Sequence, residues 1–442
     1  MSADAAPPAE RTQLRVGIAQ VAVPLLDRSA CVAKVASAIA EAGRQGVELL
    51  AFGEACIPGY PVWLERTGGA VFDSPTQKAI HAVYLREAVC IEDGHLDPIV
   101  KAAAAHGVHV VLGIIERPRH AQFRPAGATA ALAATDPGAA ARRTARGASG
   151  HSVYCSMVHV SPSGGGRVLS VHRKLVPTYE ERLAWAHGDT EGLVTWPVGP
   201  FTVGGTLCFE TWMPLARAAL HAQGEDLHVS LWPGSDRNTR DCTRFVALEG
   251  RSFVLSASCV LSMRDIPEEI RPSAAAPSPP ASSPAATPAA AKASPPAAAA
   301  GGLPVLRAAP SPATVDRVVP LRELCMRGHR SGGAPTGAGA AAGAGARAAA
   351  DGSGSAASSA PGGLDTVLHN GGSCIAAPDG RWIVSPDDTS DGAERLIVAS
   401  VDLAEVRGAR QNFDPAGHYA RPDLLRLNVQ RSRAAAAEYK PQ

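Results

Sequence analysis

Three residues of this chain have reactive side chains and stand at the ends of apolar runs. Cys208 follows the run "FTVGGTL" and precedes "FETWMP", where a helix is predicted to begin near Met213. Backbone N–H groups at such a turn can lower the pKa of a thiol and bind a developing negative charge. Cys208 is therefore a candidate nucleophile, with the alternative that it is a small buried hydrophobe, as most free cysteines are. A zinc site is not predicted, because "CFETW" has no second Cys or His at ligand spacing.

The other two reactive residues are Glu54 and Lys174. Glu54 ends the apolar run "VELLAFG", where burial would raise its pKa and make it a general base near neutral pH. Lys174 ends the run "GRVLSVHR" and would supply a fixed ammonium that stabilises negative charge on a substrate, with Glu181 close enough in sequence to orient it. The alternatives are a paired structural carboxylate for Glu54 and a solvated surface lysine for Lys174.

Alternating strand and helix patterns predict the elements that position these residues. Apolar runs predict strands, and apolar residues at helical spacing predict helices. The predicted strands are 14–23, 47–54, 108–116, 151–161, 166–174, 201–209, 226–233 and 252–260, and the predicted helices are 29–46, 76–90, 96–106, 213–224 and 240–251. This order indicates an α/β protein whose helices cover the faces of its sheets. Ligands bind such folds at the C-terminal ends of strands, which is where the three reactive residues stand.

Three segments interrupt this pattern with long stretches of Ala, Pro, Gly and Ser. Few of their side chains can offset the entropy lost on ordering, so they are predicted to be disordered and exposed. They are insertions within one domain, because the stretch "VPLRELCMRGHR" between the last two is too short to fold alone. The predicted insertions are 117–150, 272–317 and 331–363, the single domain is 12–430, and the flexible tails are 1–11 and 431–442.

Charge and cysteine usage exclude several classes of protein. The chain has 42 Lys plus Arg against 41 Asp plus Glu, so neither nucleic acid nor a strongly charged partner is predicted. No secretory signal and no run long enough to span a membrane is predicted. The nine cysteines form no CxxC pair, which favours reduced thiols in a cytoplasmic protein.

Three longer motifs around the reactive residues resemble the nitrilase family of the carbon–nitrogen hydrolase superfamily. They are "FGEACIPGYPVW", "HRKLVPTYEERLAWAHGD" and "CFETWMPLARAALHAQGEDLHVSLWPGS", and further matches are "EGRSFVLSAS", "NGGSCIAAPDGRWIV" and "QNFDPAGHYARPDLLRL". The resemblance implies a Glu–Lys–Cys triad on Glu54, Lys174 and Cys208, with Glu181 in support. It also implies a four-layer αββα sandwich that pairs with another subunit in a homo-oligomer, a dimer or larger. The chain departs from the family in its insertions and in Phe209, where nitrilases usually carry Trp.

The activity that the resemblance implies is hydrolysis of a nitrile to the carboxylic acid and ammonia through a thioimidate and a thioester on Cys208. The partners are then a small nitrile and water, and no metal or organic cofactor is required or signalled by a phosphate loop or a His cluster. An amidase or carbamoylase with the same triad and a non-catalytic scaffolding relative are the alternatives.

Aromatic residues beside the motifs bear on the substrate. Tyr60 and Trp63 follow Glu54, and Phe209 and Trp212 follow Cys208, which suits an apolar or aryl-bearing nitrile. The alternative is that all four are ordinary core aromatics.

Overall fold

In the computed structural model of the chain, the described residues are 10–119, 151–271, 315–320 and 363–431, of which 315–320 are described as backbone. The strands are β1 Gln13–Gln20, β2 Leu49–Phe52, β3 His109–Glu116, β4 Tyr154–Ser161, β5 Arg167–Arg173, β6 Trp196–Val198, β7 Phe201–Leu207, β8 Leu227–Trp232, β9 Phe253–Ser258, β10 Val260–Ser262, β11 Val315–Pro320, β12 Val367–Asn370, β13 Cys374–Ala376, β14 Trp382–Val384 and β15 Arg395–Asp402. The α-helices are α1 Arg28–Arg44, α2 Trp63–Arg66, α3 Pro75–Glu87, α4 Asp97–His106, α5 Pro214–His221, α6 Asp236–Gly250 and α7 Leu403–Arg410.

The strands form two large sheets and a small one. The first sheet has the order β11-β15-β1-β2-β3-β4-β5, and the second has the order β14-β13-β9-β8-β7-β6. β1, β2 and β3 run parallel in the first sheet, as do β7, β8 and β9 in the second. Antiparallel strands flank both parallel centres, and β10 pairs with β12 apart from them. The C-terminal ends of β2 and β7 each lead into a predicted site residue.

The two large sheets face each other across the main apolar core. Leu49 and Ala51 of β2 lie in this core with side chains of β7, β8 and β9. Leu50 and Phe52 of the same strand lie on the opposite face, in the cluster that also holds buried residues of α1 and α4. Both faces of β2 are thus covered, which explains its unbroken apolar sequence.

Helices pack against both large sheets. α1 begins after Asp27, whose carboxylate accepts the Ala30 N–H at 2.9 Å, and it buries Val35 and Ile39 against the first sheet. α6 packs Val246 beside Trp232 and Val254 of the second sheet. The predicted α/β class with two multi-stranded sheets is confirmed. α1 and α4 pack against the first sheet and α6 against the second, whereas α2, α3 and α7 contribute side chains to the main core. In the described part of the chain, no helix combines the length and apolar character needed to cross a membrane.

The predicted strands and helices are present with shifted ends, and two differences stand out. The predicted strand 252–260 divides into β9 and β10, which join different sheets. The strands β12 to β15 and the helix α7 were not predicted, although β15 pairs with both β1 and β11 in the first sheet.

The predicted insertion 272–317 extends too far at its C-terminal end. Residues 315–317 belong to β11, which pairs antiparallel with β15. The stretch "VDRVVP" is rich in valine, a residue that favours strands, and this composition overrides the low-complexity character of what precedes it. Residues 120–150, 272–314 and 321–362 and the tails 1–9 and 432–442 lie outside the described residues, so the division into one domain with insertions stays a prediction.

Candidate active site

The three reactive residues lie together although they come from distant parts of the chain. Glu54 follows β2, Lys174 follows β5 and Cys208 follows β7. Their exposed fractions are 1%, 1% and 3% respectively, so all three are buried. The Glu54 N–H donates to the carbonyl of Trp232 at 3.0 Å, which joins the end of β2 to the end of β8 in the second sheet.

Lys174 is held between two carboxylates. Its ammonium nitrogen Nζ lies 2.8 Å from Glu54 Oε1 and 2.7 Å from Glu181 Oε2. Glu181 also accepts hydrogen bonds from the Tyr60 hydroxyl at 3.0 Å and from the Thr178 N–H at 2.6 Å. The ammonium is therefore fixed in direction as well as charged, and Lys174 is not a solvated surface residue.

Cys208 has an unusual backbone conformation. It opens the short 3-10 helix Cys208–Trp212 with φ +52°, in the left-handed region that residues with a side chain rarely adopt. Such a conformation costs about 1–3 kcal/mol and persists only where the surroundings hold it. The thiol on this strained residue has a carboxylate oxygen of Glu54 and one of Glu181 within 4.8 Å.

Burial dominates the protonation of the thiol and its neighbours. Burial raises the pKa of Cys208 well above its usual range, the negative charge of Glu54 adds to this, and the Lys174 ammonium opposes it. The expectation of a lowered thiol pKa is therefore wrong, because the N–H of Phe209 lowers it by less than burial raises it. Burial would lower the pKa of Lys174, but the negative charges of Cys208, Glu54 and Glu181 raise it well above the usual value.

Glu54 is the group that can take the thiol proton. Burial raises the pKa of Glu54 to about 7, with Lys174 opposing the rise. Its Oε2 atom is buried and has no hydrogen-bond partner among the described residues. Its Oε1 accepts hydrogen bonds from Lys174 and from the Cys155 thiol, the latter at 3.4 Å. One carboxylate oxygen is thus engaged and the other is open to a proton.

The carboxylates of Glu54 and Glu181 and the thiol of Cys208 are also side chains of the kinds that bind metal ions in other proteins. Here the Lys174 ammonium contacts both carboxylates and supplies the positive charge between them. The geometry is accounted for by the lysine alone.

The four predicted substrate-binding aromatics have different surroundings. Tyr60 lies at the centre through its hydrogen bond to Glu181. Trp63 is buried in the main core, where its ring packs edge-on against Tyr84 at 6.2 Å between centroids. Phe209 and Trp212 are 47% and 42% exposed, so much of each ring faces away from the buried centre.

Sequence reasoning missed His369, which lies beside Tyr60. The two ring centroids are 5.6 Å apart, and both residues line a small cavity together with Glu54 and Pro233. Burial lowers the pKa of His369 to about 4, so the ring is neutral near pH 7. The residue belongs to β12, which was not predicted, and no spacing in the sequence relates it to the three motifs.

Comparisons with known proteins show the family to which this chain belongs. A model of the carbon–nitrogen hydrolase family matches residues 15–269. An aliphatic nitrilase of Sinorhizobium fredii is 25% identical over 95% of this chain and 96% of its own length, and an arylacetonitrilase of Fusarium vanettenii is 26% identical over 95% and 93%. Nitrilase 2 of Arabidopsis thaliana is 24% identical over 95% and 90%.

The fold is also found among solved structures. The crystal structure of a carbon–nitrogen hydrolase from Helicobacter pylori aligns with a TM-score of 0.50 and 12% identity, over 93% of this chain and 96% of that one. The family match spans more than half of the 442 residues and confirms the family that the motifs predicted. The chain therefore belongs to the carbon–nitrogen hydrolase family, and it is a hydrolase that acts on carbon–nitrogen bonds.

Proposed function

We propose that this hydrolase is a nitrilase, which converts a nitrile to the carboxylic acid and ammonia through a covalent intermediate on Cys208. The observation that carries the proposal is the similarity to proteins named as nitrilases along nearly the whole of both chains. The buried grouping of a thiol, an open carboxylate oxygen and a fixed ammonium supports it.

The first half of the proposed reaction forms the covalent intermediate. Glu54 Oε2 accepts the thiol proton as Cys208 Sγ attacks the nitrile carbon, and one π pair of the triple bond moves to the nitrogen. Glu54 then passes the thiol proton to that nitrogen, which gives a neutral thioimidate and restores the Glu54 carboxylate. Lys174 stabilises the negative charge that develops on the nitrogen, in a site where burial strengthens every such interaction.

The second half uses two water molecules. Glu54 takes a proton from the first water as its oxygen adds to the thioimidate carbon, which gives a tetrahedral intermediate. Glu54 passes this proton to the nitrogen. The carbon–nitrogen bond then breaks as the hydroxyl proton is transferred through Glu54 to the nitrogen, so ammonia leaves and the thioester carbonyl forms. The second water adds to the thioester in the same way, the bond to sulfur breaks, and the carboxylic acid leaves as the thiol regains its proton.

The proposed substrate is an apolar or aryl-bearing nitrile. The centre is walled by aromatic rings, since Tyr60 packs edge-on against Trp185 at 5.6 Å and the Lys174 ammonium lies 5.4 Å from the Trp185 centroid. Flat apolar walls bury a hydrocarbon or aryl group well and leave the nitrile as the only polar part to be satisfied.

The test measures ammonia release from phenylacetonitrile, butyronitrile and the two corresponding amides, with Cys208→Ala and Cys374→Ala compared with the natural sequence. Cys374 is a buried thiol of β13 and serves as the matched control. We expect turnover of the nitriles, less than about 1% of it in Cys208→Ala, and near-normal turnover in Cys374→Ala.

Other outcomes decide between the alternatives. Turnover of the amides alone would identify an amidase. No turnover of any of the four, together with no selective reaction of Cys208 with an electrophile near neutral pH, would favour the non-catalytic scaffolding relative.

A further inference from the structure

The reacting groups belong to two different sheets. Lys174 follows β5 and Glu54 follows β2, both in the first sheet, whereas Cys208 follows β7 in the second. The hydrogen bonds of the Lys174 ammonium go to Glu54 and Glu181, and neither belongs to the turn that carries Cys208. The distance between ammonium and thiol therefore depends on contacts that join the two sheets at this edge.

Glu210 makes such a contact. It is 1% exposed, and its two carboxylate oxygens accept hydrogen bonds from both sides of the site. Oε1 accepts the N–H of Leu175 at 2.8 Å, immediately after Lys174. Oε2 accepts the N–H of Leu207 at 3.0 Å, immediately before Cys208. The Glu210 carboxylate thus joins, through hydrogen bonds, the backbone that follows Lys174 to the backbone that precedes Cys208.

A third partner keeps this carboxylate charged. His172 Nε2 lies 2.9 Å from Glu210 Oε2. Burial would raise the pKa of Glu210, but His172 and the N–H groups of Leu175 and Leu207 lower it below the usual value. A charged carboxylate accepts stronger hydrogen bonds than a neutral acid, so the hydrogen bonds from the Leu175 and Leu207 N–H groups are both strengthened by the charge of Glu210.

The conformation of Cys208 needs this support. Its positive φ is unfavourable for a residue with a Cβ, and the bond from the Leu207 N–H holds the chain at the point where it enters this turn. Without that bond the turn is free to relax, and the thiol moves with it.

We propose that Glu210 is a positioning residue, which sets the place of the Cys208 thiol relative to Lys174 and Glu54 by fastening the two sheets together at the site. It acts through the backbone of its neighbours and does not contact the substrate. The turnover part of its test rests on the proposed function, whereas the thiol-reactivity part does not.

The test compares Glu210→Gln with Glu225→Gln. The Gln side chain in Glu210→Gln has the same size but only one acceptor oxygen. Its NH₂ group faces the N–H of either Leu175 or Leu207, and because two donors cannot bond to each other, that hydrogen bond is lost. Glu225 is the matched control, because it is also fully buried and paired with an imidazole, His228 Nδ1 at 2.8 Å, but lies before β8, at the end away from the site. Both variants remove one buried carboxylate charge from a Glu–His pair.

The principal readout is the rate at which iodoacetamide alkylates the Cys208 peptide, measured by mass spectrometry from pH 5.5 to 9.5. The charged groups that face the thiol are Glu54, Glu181 and Lys174. In the natural protein we expect the rate to rise near pH 7, as Glu54 ionises and becomes able to accept the thiol proton. In Glu210→Gln we expect the thiol to lie out of reach of this base while it stays buried, so the rise should move to higher pH, because burial raises the pKa of Cys208 above its usual range.

Turnover and melting temperature complete the comparison. We expect kcat of Glu210→Gln to fall about a hundredfold with a smaller change in KM, the effect of misplacing a reacting group by about 1 Å. Glu225→Gln should lower the melting temperature without moving the alkylation profile.

If the two variants lower the melting temperature equally and the alkylation profile of Glu210→Gln does not move, the proposal is overturned. Glu210 would then be a purely structural residue. If Glu210→Gln does not fold, Glu210→Asp is compared with Glu225→Asp by the same measurements, since the shorter acid keeps its charge but cannot span both N–H groups. A natural protein that turns over no nitrile would refute the proposed function while the alkylation result still decides the role of Glu210.

Discussion

The burial of Lys174 is not expected from the sequence, because lysine is almost never fully buried unless it is paired. Its ammonium is paired twice, with Glu54 and with Glu181, and both carboxylates are themselves buried. The lysine therefore has two separable effects. It stabilises the fold by neutralising two buried negative charges, and in the proposed reaction it stabilises charge on the substrate.

These two effects can be measured apart. Lys174→Met leaves both carboxylates without their cation, and we expect it to lower the free energy of unfolding by about 3–5 kcal/mol and to reduce turnover at least a hundredfold. Adding Glu181→Gln removes one of the unpaired charges, so the double variant should recover part of the stability and none of the activity. Urea unfolding and ammonia release are the measurements. Recovery of activity in the double variant would show that the ammonium has only a structural role.

The pH dependence of turnover reports on Glu54. The proposed reaction needs the carboxylate form of Glu54, and burial raises the pKa of Glu54 to about 7, so we expect kcat/KM to fall as the pH drops through about 7. The hydrogen bond from Cys155 favours that carboxylate form, so Cys155→Ala should raise the pKa further. We expect the acid limb of the profile to move up by about half a pH unit, the usual size for one weak hydrogen bond. Cys374→Ala is the control, and an unmoved limb in Cys155→Ala would mean that another group controls the profile.

At the scale of elements, the segment after Lys174 folds back against β5 because it contains glycine. The Gly188 N–H donates to the carbonyl of Lys174 at 2.8 Å, and a Cβ at this position would lie 2.6 Å from that oxygen. Real Cβ atoms do not approach a carbonyl oxygen so closely. The close approach holds the end of β5, and with it the lysine, in place.

Gly188→Ala should therefore disturb the strand end that carries Lys174. We expect it to cost about 1–3 kcal/mol, as overpacking usually does, and to lower kcat. Gly408→Ala is the matched control, because an added Cβ in α7 meets nothing within 4 Å and should stabilise the helix by about 0.5–1 kcal/mol. Thermal melts and kcat of the two variants check this, and normal kcat in Gly188→Ala would show that β5 tolerates the shift.

The elements that the sequence predicted are those with strong apolar runs. β1, β2 and β3 are covered on both faces and read as continuous apolar stretches. β12 to β14 have only three or four residues each, too few for a periodic pattern to show. β15 is long and apolar but is far from β1 in the sequence, and nothing near it indicates that the two strands pair.

At the scale of the whole molecule, the sequence predicted which residues lie together at the candidate site better than it predicted what surrounds them. Glu54, Lys174, Glu181 and Cys208 stand in long motifs, and the structure brings them together. Their protonation depends on burial between two sheets, which the spacing of residues does not reveal. Glu210 lies in the motif "CFETW", but its hydrogen bond from the Leu175 N–H depends on the packing of the two sheets against each other, which the sequence does not reveal. The homo-oligomer implied by the family resemblance stays a prediction.

The burial of the reacting groups has a kinetic consequence. Cys208 is 3% exposed, so we expect a substrate to reach the thiol only in the fraction of molecules in which the surrounding side chains have moved aside, here called the open form. The apparent dissociation constant then equals the intrinsic constant divided by that open fraction, and an open fraction of about one in a hundred weakens apparent affinity about a hundredfold. Substitutions of the side chains around Cys208 that favour the open form should therefore lower KM, while Glu54, Lys174 and Cys208 themselves stay unchanged.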